Sequence, residues 1–114
     1  MEISKELFEA VIDDKVKYYC VDVDEIEYDY ESFDRQNPLI MEVNDFFFKC
    51  KEWASKKGYI LFSKTRLSSS LASCYFDVMG FHDYEDDFKN DFRAESEQQA
   101  VFDACQWILE NKRN

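Results

Sequence analysis

The segment from Asn44 to Tyr59, NDFFFKCKEWASKKGY, constrains the fold more than any other part of the chain. Phe46, Phe47, Cys50, Trp53 and Ala54 recur at three- and four-residue steps, so a helix here carries one broad apolar face that needs a sheet to lie on. Asn44 is a candidate N-cap. Gly58, just past Lys56 and Lys57, is suited to the left-handed conformation that closes a helix, and the two lysines suit the negative end of the helix dipole. Phe48 falls off the apolar face, so either a neighbouring element covers it or it is exposed.

The remainder is predicted around that helix. Ser4 reads as an N-cap with Ile3 and Phe8 placed for a hydrophobic staple, followed by a short helix bearing Leu7, Phe8, Val11 and Ile12. From Lys15 to Ser32 the period changes to two. Tyr19, Val21 and Val23 alternate with polar residues, then Ile26, Tyr28 and Tyr30 do so one residue out of phase. A tight turn at Asp24-Glu25 would produce that slip, pairing Val23 with Ile26, Val21 with Tyr28 and Tyr19 with Tyr30. Asp22 would then oppose Glu27, and Asp-Glu is not a preferred two-residue turn, so a continuous bulged strand is the alternative. Residues 32–37 read as a loop. The apolar phase of the long helix can be traced back through Val43, Ile40 and Leu39, which allows a start at Pro38.

Strands are predicted over Tyr59–Thr65, Leu71–Met79 and Phe88–Ala94, and Ser96 with Gln99 opens the last helix as a capping box. Its buried stripe is Ala100, Val101, Ala104, Cys105, Ile108 and Leu109. The expected fold is therefore α+β, a single compact domain of order α-ββ-α-βββ-α, with an antiparallel hairpin and a three-strand meander packed with three helices. Residues from Asn44 onward also have the αβββα order of double-stranded-RNA-binding domains. Their function needs clustered Lys and Arg, whereas this chain has a formal charge of −11.

The charge is segregated. Seven acids and no base lie between Val21 and Asp34: Asp22, Asp24, Glu25, Glu27, Asp29, Glu31 and Asp34. Six bases against Glu52 alone lie between Lys49 and Arg66. A second acidic run, Asp83, Glu85, Asp86 and Asp87, follows His82. Such a dipolar molecule attracts basic partners and repels polyphosphate. Alternate carboxylates on a strand stand roughly 6.6 Å apart, and two paired rows approach the charge spacing of about 3.4 Å along one nucleic-acid strand. The plainer reading of the acidic ribbon is a solvated outer face.

Other chemistry is sparse. Cysteines 20, 50, 74 and 105 are far apart with no CxxC pair, and there is one histidine, so the four read as small core hydrophobes and no metal or cofactor is expected. The acidic run after His82 lacks the spacing and central glycine of an EF-hand loop. His82 beside Asp83 and Glu85 has no nucleophile motif near it and reads as a loop histidine. No apolar run is long enough for a membrane span, and Met1-Glu2-Ile3-Ser4 is not a signal-peptide start, so a cytoplasmic location is expected.

Lys49-Cys50-Lys51-Glu52-Trp53-Ala54 with Gly58-Tyr59, and Phe92-Arg93-Ala94-Glu95-Ser96 leading into Ala100 to Leu109, resemble a group of small, mostly uncharacterised bacteriophage and prophage proteins. More loosely, they are similar to the phage α-β-α sandwich domain. The resemblance covers about the last 70 residues and carries core and capping positions only. It implies a phage origin and, if so, the bacterial host cytoplasm; it supplies no catalytic residue. Together these readings point to a non-enzymatic protein that binds a basic host protein, as an anti-CRISPR or anti-restriction inhibitor would, without binding nucleic acid directly. The expected contact residues are Asp22, Asp24, Glu27, Asp29, Glu31, Phe81, Tyr84, Glu85 and Asp86. A small enzyme or ligand-binding module centred on His82, and self-association of the basic segment with the acidic face of another copy, are the alternatives.

Overall fold

The computed structural model describes residues 1–31, 38–65, 72–78 and 92–111. Among them the order is α1 (Lys5–Ile12), β1 (Val16–Val21), β2 (Glu25–Tyr30), β3 (Leu39–Glu42), α2 (Val43–Lys56), β4 (Tyr59–Thr65), β5 (Ala72–Val78), β6 (Phe92–Ala94) and α3 (Glu97–Asn111). The fold is α+β. Its strands form two antiparallel three-stranded sheets, β1-β2-β3 and β4-β5-β6.

Two sequence expectations change. Leu39–Glu42 is a third strand on the hairpin, not the start of the long helix, and pairs Ile26 with Met41 and Tyr28 with Leu39. Four residues are too few to separate a period of two from one of 3.6, and Leu39, Ile40 and Val43 fit either. The hairpin is also shorter at its turn: Val21 pairs with Ile26 and Tyr19 with Tyr28, and the loop is residues 22–24. That register differs by two from the expected one. A two-residue shift returns every side chain to its face, so Tyr19, Ile26 and Tyr28 still point into the core.

The helix ends show why local signals only partly locate α2. Asn44 is not the N-cap; Glu42 takes that position without a side-chain hydrogen bond. The Val43 N–H instead donates to the Asp24 carbonyl at 2.9 Å, so the hairpin loop satisfies part of the first turn. Asn44 Oδ1 accepts from Gln98 Nε2 of α3 at 2.9 Å. At the other end Gly58 adopts φ 95°, the left-handed closure expected of it. Ser4 caps α1, its Oγ accepting from the Leu7 N–H at 3.0 Å, and Ser96 Oγ accepts from the Gln99 N–H at 3.1 Å. The Gln99 side chain does not reach back to Ser96. Its amide grips Glu2, accepting from the N–H at 2.7 Å and donating to the carbonyl at 2.9 Å, and so ties the N-terminal segment to α3.

One connected core joins both sheets through the helices. Phe8 of α1 lies at its centre, with ring centroids 5.0 Å from Tyr19, 5.0 Å from Tyr28 and 5.3 Å from Phe46, and Phe46 continues to Phe102 of α3 at 5.5 Å. The predicted face of α2 is buried, as are Ala100, Val101, Ala104, Cys105 and Ile108 of α3. Cys105 Sγ approaches the Cys50 carbonyl at 3.7 Å, which shows how closely small side chains let α2 and α3 meet. Burial, with Cys105 beside it, pushes the Cys50 thiol well above its ordinary value. Phe48 remains 65% exposed, its ring edge against Phe47. No helix among the described residues is long and apolar enough to cross a membrane.

Candidate functional site: the acidic end of the hairpin

The loop joining β1 to β2 is held by its own backbone. The Asp22 N–H donates to the Glu25 carbonyl at 2.8 Å, and the Val23 N–H donates to Asp22 Oδ1 at 2.8 Å. With the Asp24 carbonyl tied to Val43, three successive residues have fixed partners, and the Val23 side chain is left 74% exposed at the tip. Asp22, Asp24 and Glu25 are exposed around it. The register of β2 on β3 sets Glu25 directly opposite Glu42, which is also exposed. Four carboxylates thus converge on one end of the first sheet.

Like charges directly opposite on neighbouring strands are destabilising by up to about 1 kcal/mol. The N-terminus of α2 begins in the same place and offsets part of that cost, since a helix N-terminus carries roughly half a positive charge. Half a charge does not neutralise four carboxylates. Among the described residues the ion pairs are Lys17 with Asp29 at 3.7 Å and Lys56 with Glu52 at 3.3 Å, and neither involves the hairpin end. Most of the negative charge there faces outward. Beside it runs a cleft of about 400 Å³ whose lining includes Val23, Asp24, Glu25, Glu42 and Asn44.

The row of alternating carboxylates expected along the ribbon does not form. Asp29, expected on the outer contact surface, is only 5% exposed. A bulge between Val16 and Tyr18 offsets Lys17, whose Nζ lies 3.7 Å from Asp29 Oδ2, while Oδ1 has no hydrogen-bond partner among the described residues. Asp22 does not oppose Glu27; Cys20 does. Glu27 is half-buried between Cys20 and the exposed Ile40, with Tyr18 Oη at a long 3.5 Å from its Oε2. Cys20 is exposed and so is not a core cysteine, contrary to expectation, whereas Cys50 and Cys105 are buried. Glu31 is exposed beyond the far end of β2.

Of the expected contact residues, then, Asp22 and Asp24 are brought together, Glu27 and Glu31 stand apart, and Asp29 is withdrawn. Phe81, Tyr84, Glu85 and Asp86 lie outside the described residues, as does His82. The sequence reading missed Val23, Glu25 and Glu42, Glu25 because it reads as a turn residue. Asp22 and Asp24 flanking a single apolar residue, the pattern of a short polar loop, was the available signal for Val23. For Glu42 there was none without the β3 register. Among the described residues no group of three or more His, Cys, Asp or Glu side chains is placed to hold a metal ion. Comparison of the chain with protein-family models, with curated proteins and with solved structures gives no match.

Proposed function

We propose that this protein is a non-enzymatic binding protein that engages a basic surface of another protein through the acidic hairpin end. Asp22, Asp24, Glu25 and Glu42 supply the charge, and Val23 supplies an apolar contact at their centre. The observation that carries the reading is the convergence of these four exposed carboxylates on a backbone whose loop is already hydrogen-bonded in place. A fixed loop loses little conformational freedom on docking, and concentrated charge accelerates encounter with an oppositely charged patch. Together with the resemblance to phage proteins, this fits an inhibitor acting in the host cytoplasm. It would occupy the nucleic-acid groove of a restriction or CRISPR enzyme, presenting a compact cluster of negative charge in place of phosphates.

Capture from a bacterial host lysate tests this. The expected partner is retained by the native chain, is released by added double-stranded DNA, and is lost when Asp22, Asp24 and Glu42 are changed to lysine. Retention of the same partner by the reversed variant contradicts the proposal.

A further inference from the structure

The opposite end of α2 carries a surface of the opposite character. Lys49, Glu52, Trp53 and Lys56 recur at helical spacing from the middle of the helix to its end, Lys57 caps it, and with Tyr28, Tyr30 and Met41 of the first sheet and the end of α1 they line an open groove of about 580 Å³. Lys56 is paired with Glu52, while Lys49 and Lys57 make no ion pair among the described residues. Three lysines stand against Glu52 and the Asp13 that caps α1, so in a chain of net charge −11 the groove is a locally net-positive surface over the aromatic rings and the Met41 thioether.

We propose that this groove receives the hairpin end of a second copy of the chain, so that copies associate head to tail. Three observations select that occupant. The hairpin end offers a matching piece: the exposed Val23 faces an apolar wall, and the carboxylates around it meet lysines. Most of the groove also lies toward the opposite end of α2 and β2 from the hairpin loop. The hairpin loop is bonded to Val43 at the start of α2, whereas the groove is lined by Lys56 and Lys57 at its end, about 21 Å away along a helix of 14 residues. Along β2, Glu25 and Tyr30 are separated by about 17 Å in the same sense. A molecule therefore cannot fill its own groove. Finally, docking the acidic N-terminal end of one α2 against the basic C-terminal end of the next aligns their dipoles head to tail. The contact is heterologous and propagates into short chains or a ring. The overall repulsion between copies is long-range and is screened beyond about 8 Å at physiological salt, whereas charges meeting in the contact are closer than that.

The test is mass by sedimentation velocity across protein concentration. The native chain is expected to grow in mass with concentration at physiological salt and to return to monomer at high salt. Lys49→Gln with Lys57→Gln disables the groove only, and Asp22→Asn with Asp24→Asn disables the hairpin end only, neutral changes that create no swapped charge pair between the two variants. Each variant alone is expected to stay monomeric with an unchanged far-ultraviolet spectrum. An equimolar mixture of the two is expected to give a dimer that grows no further, because one intact hairpin end meets one intact groove. A monomeric native chain under all conditions overturns the proposal, as does a mixture that fails to dimerise. Binding of a soluble polyglutamate peptide by a chain that stays monomeric also overturns it, in favour of a foreign acidic segment. The groove variant leaves the hairpin end intact, so its capture of a host partner separates failure of this proposal from failure of the proposed function.

Discussion

Asp29 shows how far a single residue can depart from its pattern. Alternation places it on the outer face of the hairpin with Glu25 and Glu27, and nothing in that alternation reports that the position is covered. Removing one partner from a buried charge pair costs more than neutralising the pair, because it strands a charge in low dielectric. Lys17 is part-exposed and regains water if Asp29 is neutralised, whereas Asp29 cannot do so if Lys17 is lost. Lys17→Ala is therefore expected to destabilise by about 1 to 3 kcal/mol, and Asp29→Asn by clearly less. Urea unfolding of the two variants checks the order.

Tyr19 gives a second residue-scale prediction. Its hydroxyl donates to the Ile3 carbonyl at 2.8 Å, and burial, with Cys50 and Glu6 adding to it, pushes the phenol well above its ordinary value near 10. An unfolded chain gives up that proton at lower pH than the folded one. The contribution is complete below about pH 10 and is lost as pH rises through the folded value. Thermal unfolding is expected to show stability falling above about pH 10, with a shallower fall in Tyr19→Phe. An identical slope in both proteins contradicts it.

At the scale of elements, the sequence revealed most where apolar periodicity was long or a cap was local. The face of α2, the stripe of α3, Ser4, Ser96 and Gly58 all required only neighbouring residues. Leu39–Glu42 is a strand that the sequence alone does not separate from the helix, because a four-residue strand leading into a helix is in phase with that helix. The N-cap of α2 was misplaced because a carbonyl from the hairpin loop, distant in sequence, serves its first turn. The hairpin register was two residues off, yet its core face was correct. The acidic tip follows from that register and so is only half visible in the sequence: Asp22 and Asp24 are legible there as contact residues, Val23, Glu25 and Glu42 are not. Phe8 is where the elements meet, touching rings from β1, β2 and α2. Phe8→Ala is expected to cost about 3 to 5 kcal/mol, because so enclosed a site collapses poorly into the space left. Denaturant unfolding measures it, and a loss near that of an exposed substitution contradicts the central place of this ring.

For the whole molecule, the arrangement of charge matters more than its total. Acids gather at the N-terminal end of α2 and bases along its C-terminal half, and both ends are built on the same packed core. A surface that only keeps the protein in solution depends on net charge and is indifferent to where the carboxylates lie. A recognition surface depends on position. The decisive measurement compares two charge-matched triple variants in binding to the partner captured from host lysate. One reverses Asp22, Asp24 and Glu42 to lysine. The other reverses Glu6, Asp14 and Glu110, which are exposed and do not line the cleft beside the hairpin end. The account predicts that the first loses binding by at least about tenfold, more than 1.4 kcal/mol, while the second retains it. Equal loss in both variants, or none in the first, would contradict it.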